Sequence, residues 1–217
     1  MELKLQKFRL SLVLNSVFFP LTSPDVFDAL KAREFEVGRV PVPFPSGVRV
    51  YFSGAIARKR DVWIDIDSNR NIVGTEGVSV EDTIQTFSEV IDMLREDFFV
   101  DLNKELSYVE LIAHLIVFSA KNPLQTLQSY AESKKQKEFD KIFGDLTSDY
   151  RVSIVPRAVL PSSRKWFEIN VSPRLTMPTK AYWLEVVYRD ETDDSVVSFA
   201  RNLNPTIVNL ITVIERR

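Results

Sequence analysis

The three tryptophans of the chain each stand two residues ahead of a carboxylate, as Trp63-Ile64-Asp65, Trp166-Phe167-Glu168 and Trp183-Leu184-Glu185. In an extended chain, residues two apart project to the same side. Each indole therefore shares a face with an acid, Asp67 continues the first series, and Ile64, Phe167 and Leu184 take the opposite face. An exposed tryptophan forgoes the burial of ~150–250 Å² of side chain, and groups of such residues mark contact surfaces. Indoles beside carboxylates suit a cationic peptide, a basic protein patch or a sugar, through cation–π contact and charge pairing. They repel phosphate. The plainer alternative is that the indoles lie flat against neighbouring strands and the acids are simply solvated.

Other chemistry is sparse. Asp65 and Asp67 share a strand face at roughly 7 Å by strand rise, a spacing that could hold Mg²⁺ with substrate phosphates. The pair is not repeated, because Glu185 is followed two residues on by Val187. His114 is the only histidine, and it alternates within an apolar strand, the setting of a structural histidine. The absence of cysteine removes thiolate metal sites, disulfides and a cysteine nucleophile. Six glycines supply neither a Walker loop nor a dinucleotide fingerprint. No catalytic set, metal site or cofactor is expected, and the reading leans away from an enzyme. The basic residues Arg58, Lys59 and Arg60 at one turn, Lys180 at another, and Arg164 and Lys165 near a third are candidate phosphate contacts. Cations at hairpin tips also keep sheet edges from pairing.

The chain has 217 residues, 45% apolar and 27% charged, with a formal net charge of −2. Those are ordinary globular values, and the charge disfavours a general affinity for nucleic acid. No apolar run is long enough to span a membrane. The start, Met1-Glu2-Leu3-Lys4-Leu5, is not a signal peptide, so a cytoplasmic protein is expected. Asn170-Val171-Ser172 fits a glycosylation sequon but lies within a strand pattern and is discounted. The scarcity of cysteine, histidine and glutamine points toward a thermophilic source.

The elements that must position these residues occur twice. Val40-Pro41 and Phe44-Pro45-Ser46-Gly47 recur as Val155-Pro156 and Leu160-Pro161-Ser162-Ser163. Trp63-Ile64-Asp65-Ile66 matches Trp183-Leu184-Glu185-Val186, and Leu10, Leu12, Leu14 and Ser16 match Ala113, Leu115, Val117 and Ser119. Ile91 and Leu94 match Ile211 and Ile214, and the offset grows only in one direction along the chain. In the first copy, Phe8 to Asn15 alternates as a half-buried strand, and Ser23-Pro24-Asp25 opens a short helix. Strands follow at Phe35 to Phe44, Val48 to Ala57, Val62 to Asp67 and Asn71 to Val73. Pro41 and Pro43 confine the first of these to an edge or a bulge. Ser79 and Asp82 have capping spacing ahead of a helix carrying Ile84, Phe87, Val90, Ile91 and Leu94 on one side. The second copy predicts a strand over 111–118, one helix from Asn122-Pro123 to about Ile142, and strands over 151–160, 165–175 and 181–189. A last helix starts at Asp193 and is broken by Pro205, with Asn204 recapping the second piece.

The expected fold is α+β: residues 1–98 and 99–217 as two repeats of strand, helix, three or four antiparallel strands, and helix, fused into one pseudo-twofold domain. The two first strands meet at the junction, and the helices back one face. This element order resembles the saddle of the TATA-box-binding protein family, also a tandem duplication of strand, helix, strands and helix. The resemblance covers nearly the whole chain and is one of topology; it implies a continuous curved antiparallel sheet, and not a DNA function. The alternative is two separate small α+β sandwiches. Function is then expected to be non-catalytic binding of a protein or peptide partner on the open face, through Trp63, Asp65, Asp67, Trp166, Glu168, Trp183 and Glu185. A nucleic-acid- or transcription-associated factor using the basic tips, and a metal-dependent enzyme using Asp65 and Asp67, are the alternatives.

Overall fold

The computed structural model describes residues 1–15, 24–38, 53–130 and 136–216. In β1 (Glu2–Leu14), buried Phe8, Leu10, Leu12 and Leu14 alternate with Lys7, Arg9 and Val13. In α1 (Pro24–Ala32), Val26 and Leu30 turn inward. Then come β2 (Glu36–Val37), β3 (Ser53–Lys59), β4 (Val62–Asp67), β5 (Ile72–Gly77) and α2 (Val80–Glu96). A short helix, α3 (Leu102–Glu105), leads into β6 (Leu106–Phe118). The remainder is α4 (Pro123–Tyr130), α5 (Gln136–Phe143), β7 (Val152–Ile154), β8 (Trp166–Pro173), β9 (Ala181–Asp190), α6 (Asp193–Arg201) and α7 (Leu203–Glu215).

The nine described strands form one open antiparallel sheet in the order β2-β3-β4-β5-β1-β6-β9-β8-β7. β1 and β6 run side by side at its middle, from Glu2↔Phe118 to Leu14↔Leu106, with register shifts at Leu5/Lys7 and Val13/Leu14. That seam excludes two separate sandwiches. One face carries the core. Phe8, Leu10 and Leu12 of β1, Ile64 and Ile66 of β4, Leu111 and Leu115 of β6, and Leu184 and Val186 of β9 all belong to it. They join Phe87, Val90 and Leu94 of α2, Val196 and Ala200 of α6, and Ile207 and Ile211 of α7. Full burial of each such valine, leucine, isoleucine or phenylalanine side chain contributes about 1.5–3 kcal/mol. The period of two then sends the intervening strand residues to the opposite face.

Local chemistry explains where elements begin and end. Ser79 caps α2 by accepting from the Asp82 amide, as its spacing predicts. The expected strand over 151–160 pairs with β8 only from Val152 to Ile154. Beyond it, Ala158 sits at φ 59°, in the left-handed region that a strand cannot accommodate. The expected long helix from Asn122 is seen as α4 and α5, and residues 131–135 lie outside the described residues. The expectations for 39–52, including Val40-Pro41 and Phe44-Pro45, lie outside them too. The break in the last helix falls at Asn202 rather than Asn204. Pro205 is the third residue of α7, where an amide would have no intrahelical acceptor, so proline forfeits no hydrogen bond there. Among the described residues no helix is long and apolar enough to cross a membrane.

Candidate functional site

The register places Trp63, Asp65 and Asp67 of β4, Trp166 and Glu168 of β8, and Trp183 and Glu185 of β9 on the face away from the core. They do not form one cluster. β5, β1 and β6 separate β4 from β9, about 19 Å at ~4.8 Å per strand. Trp166 and Trp183 stand apart as well, at opposite ends of the β8–β9 pair (Trp166↔Arg189, Ser172↔Trp183), about 20 Å at ~3.3 Å per residue. Each indole therefore has its own surroundings.

Most of the acids on this face already have cations. Arg9 on β1 reaches over β5 to Asp65 at 2.6 Å, and Lys7 meets Glu76 at 2.9 Å. Arg189 on β9 meets Glu110 on β6, and Arg151 meets Glu185. Gly74 makes the Arg9–Asp65 contact feasible. It lies between Asp65 and Ser11 in the register, and a Cβ there would come within 2.8 Å of Arg9 Nη2 and 3.0 Å of Asp65 Oδ1. Arg9 Nε also donates to Ser11 Oγ at 2.9 Å. Asp65 Oδ1 is buried with no hydrogen-bond partner among the described residues. Burial pushes the Asp65 carboxyl above its ordinary range; Arg9 offsets this only in part, and Glu76 adds to it. Asp67 instead accepts from the amides of Asn69 and Arg70 at 3.1 and 3.2 Å and so shapes the β4–β5 turn, which Asn71 closes at φ 54°. Neither carboxylate is free, and no group of three or more histidine, aspartate or glutamate side chains among the described residues could hold a metal ion.

The indoles differ in exposure. Trp63 is 48% exposed, with the Arg58 guanidinium 5.0 Å over its ring. Trp166 is only 8% exposed. Its register neighbour Arg189 donates to Pro161 O at 3.0 Å, fastening the segment that leads into Trp166. Trp183 is half-buried; its ring lies 5.4 Å from His114, and its Nε1 donates to Glu185 Oε1 at 3.3 Å. Beside Trp183 lies a cavity of about 370 Å³, bounded by Tyr150, by Ser172 and Pro173 at the end of β8, and by residues 174–176 of the β8–β9 connection.

The basic residues are dispersed. Arg58 pairs with Asp61 at 2.7 Å and Arg60 with Asp82 at 3.1 Å. Lys59 turns to the helical side, where it meets Glu89 at 2.7 Å and the Phe35 ring at 4.9 Å. Lys165 pairs with Asp190 at 3.5 Å. Arg164 and Lys180 have no ion pair among the described residues. Sequence reasoning missed Lys7, Arg9, Arg151 and Arg189 as occupants of the open face. For Lys7 and Arg9 the signal was present, since both alternate in opposite phase to Phe8 and Leu10. Gly74 and the cavity carried no signal of that kind. No protein-family model matches the chain, and no curated protein or solved structure matches it either.

Proposed function

We propose that the chain is a non-catalytic binding protein whose open sheet face receives a protein or peptide partner. The observation that carries this reading is Trp63, a large apolar side chain left half-exposed on a sheet face and stacked with an arginine. Tryptophan and arginine together are the residues most enriched at the energetic centres of interfaces. The prior pairing of Asp65, Glu76, Glu110 and Glu185 supports it as well: a partner covering this face meets neutralised charge and need not strip water from lone carboxylates.

The same proposal includes two repeats, 1–98 and 99–217, related by a pseudo-twofold axis through the β1–β6 seam in a saddle-like topology. The strand order supports it, with β5, β4 and β3 on one side of the seam facing β9, β8 and β7 on the other. So does the α2–α6 pair, in which Arg95 lies 3.6 Å from Asp193 and Arg201 lies 3.8 Å from Glu81, a reciprocal arrangement of opposite helix ends. Under this proposal the strand order favours β8, not β9, as the counterpart of β4. Trp166-Phe167-Glu168 then replaces Trp183-Leu184-Glu185 as the mate of Trp63-Ile64-Asp65. The offset from Trp63 to Trp166 equals that from Leu10 to Ala113.

The test compares partner capture by the wild type and by Trp63→Ala, with each captured protein then titrated as a purified component. Loss of its binding in Trp63→Ala at unchanged melting temperature supports the reading. Unchanged binding sinks it. So does tight binding of a mixed-sequence DNA or RNA oligonucleotide that weakens steeply with salt, which would promote the hairpin-tip cations instead.

A further inference from the structure

The geometry points to the cavity beside Trp183 as an anchor site for an acidic peptide segment, one that inserts an aromatic side chain and presents a carboxylate to Arg174. This rests on the open-face reading and names the partner's chemistry. Tyr150 and Trp183 supply aromatic walls, Pro173 and the 84%-exposed Leu175 supply apolar surface, and the volume is about 370 Å³. That is near the lower end of the ~300–1,000 Å³ typical of ligand pockets, room for one large side chain. Tyr150 is held in place by its hydroxyl, which donates to Pro173 O at 3.0 Å, so the walls are preorganised rather than gathered on binding.

Charge decides which peptide. Both oxygens of Glu185 are engaged, Oε1 by Trp183 Nε1 and Oε2 by Arg151. Arg151 thus balances the Glu185 charge, and an incoming lysine or arginine would face the uncompensated charge of Arg174. Arg174 lines the cavity, and its side chain has no hydrogen bond or ion pair among the described residues. An unpaired planar fork is suited to bidentate capture of a carboxylate. The occupant is therefore aromatic and acidic, and not the cationic peptide that the tryptophan–carboxylate spacing alone favours.

The experiment pans a displayed library of random linear ten-residue peptides against the intact protein and titrates one enriched peptide by fluorescence anisotropy. Enrichment of Phe, Tyr or Trp within two positions of Asp or Glu is expected. Arg174→Glu should weaken the titrated peptide by about tenfold or more, and Arg174→Lys by less. Circular dichroism and the melting temperature should match the wild type in both variants. Basic sequences, or no enrichment at all, overturn the proposal. A peptide lost in Trp63→Ala but indifferent to Arg174→Glu removes the anchor site and leaves the open-face reading standing. Indifference to both substitutions removes both.

Discussion

Asp65 is a carboxylate in an unfavourable place, and its titration should reveal it. Arg9 and Lys7 on β1 draw it toward ionisation, while burial and Glu76 on β5 oppose it, and burial dominates. The folded-state value lies above the ordinary 3.8. Between the two values the folded protein keeps a proton that the unfolded chain has released, so stability falls as pH rises through that window. Below both values the group has no effect on the slope. The unfolding free energy of the wild type minus that of Asp65→Asn, measured in denaturant, should therefore decline as pH rises above the ordinary aspartate range; parallel curves would contradict the assignment. Gly74→Ala should destabilise by about 1–3 kcal/mol, measured by urea midpoint, because its Cβ would displace the Arg9–Asp65 pair. The tryptophans should separate in the same assay. Trp166→Ala, at an 8%-exposed site, is expected to lose about 3–5 kcal/mol. Trp63→Ala should lose far less. The shared face of these residues was legible, since a period of two is a local property of the sequence. The ion pairs were not, because Arg9 finds Asp65 only through two successive strand pairings, β1 with β5 and β5 with β4.

Elements were legible where their end chemistry is local. α2 shows this: Ser79 accepts from the Asp82 amide, Glu81 and Asp82 occupy the first turn, and Arg95 the last. Phe87, Val90, Ile91 and Leu94 then bury one side. Ser79→Ala should cost about 1 kcal/mol of global stability, readable in thermal or urea unfolding. A negligible change would mean that solvent satisfies the helix end equally well. β7 was over-extended in the sequence reading because a valine-rich pattern carries no mark of the left-handed turn at Ala158. α3 left almost no periodic trace in four residues. Pro205 was read as a break when it is a tolerated member of a first turn; the cause of the break lies upstream at Asn202, whose amide closes onto Ser198 and Phe199.

At the scale of the whole molecule, the seam should make the halves one folding unit. Leu10 faces Leu111, Phe8 faces Ala113 and Leu12 faces Val109 across it, and each of these residues is fully buried beneath the helical layer. Unfolding either half would strip the seam strand of the other and expose its core face. The two halves should therefore unfold together, in one cooperative transition. The tryptophans allow a direct check, since Trp63 lies in the first half and Trp166 and Trp183 in the second. Trp63→Phe leaves fluorescence reporting on the second half alone, and the double variant Trp166→Phe with Trp183→Phe leaves it reporting on the first. Each variant carries its own internal reference in the far-ultraviolet circular dichroism of the whole chain. Within each variant the fluorescence and dichroism midpoints in urea should coincide. A fluorescence midpoint that departs from the dichroism midpoint in either variant would mean that the halves melt independently and that β1 and β6 hold together two units rather than one.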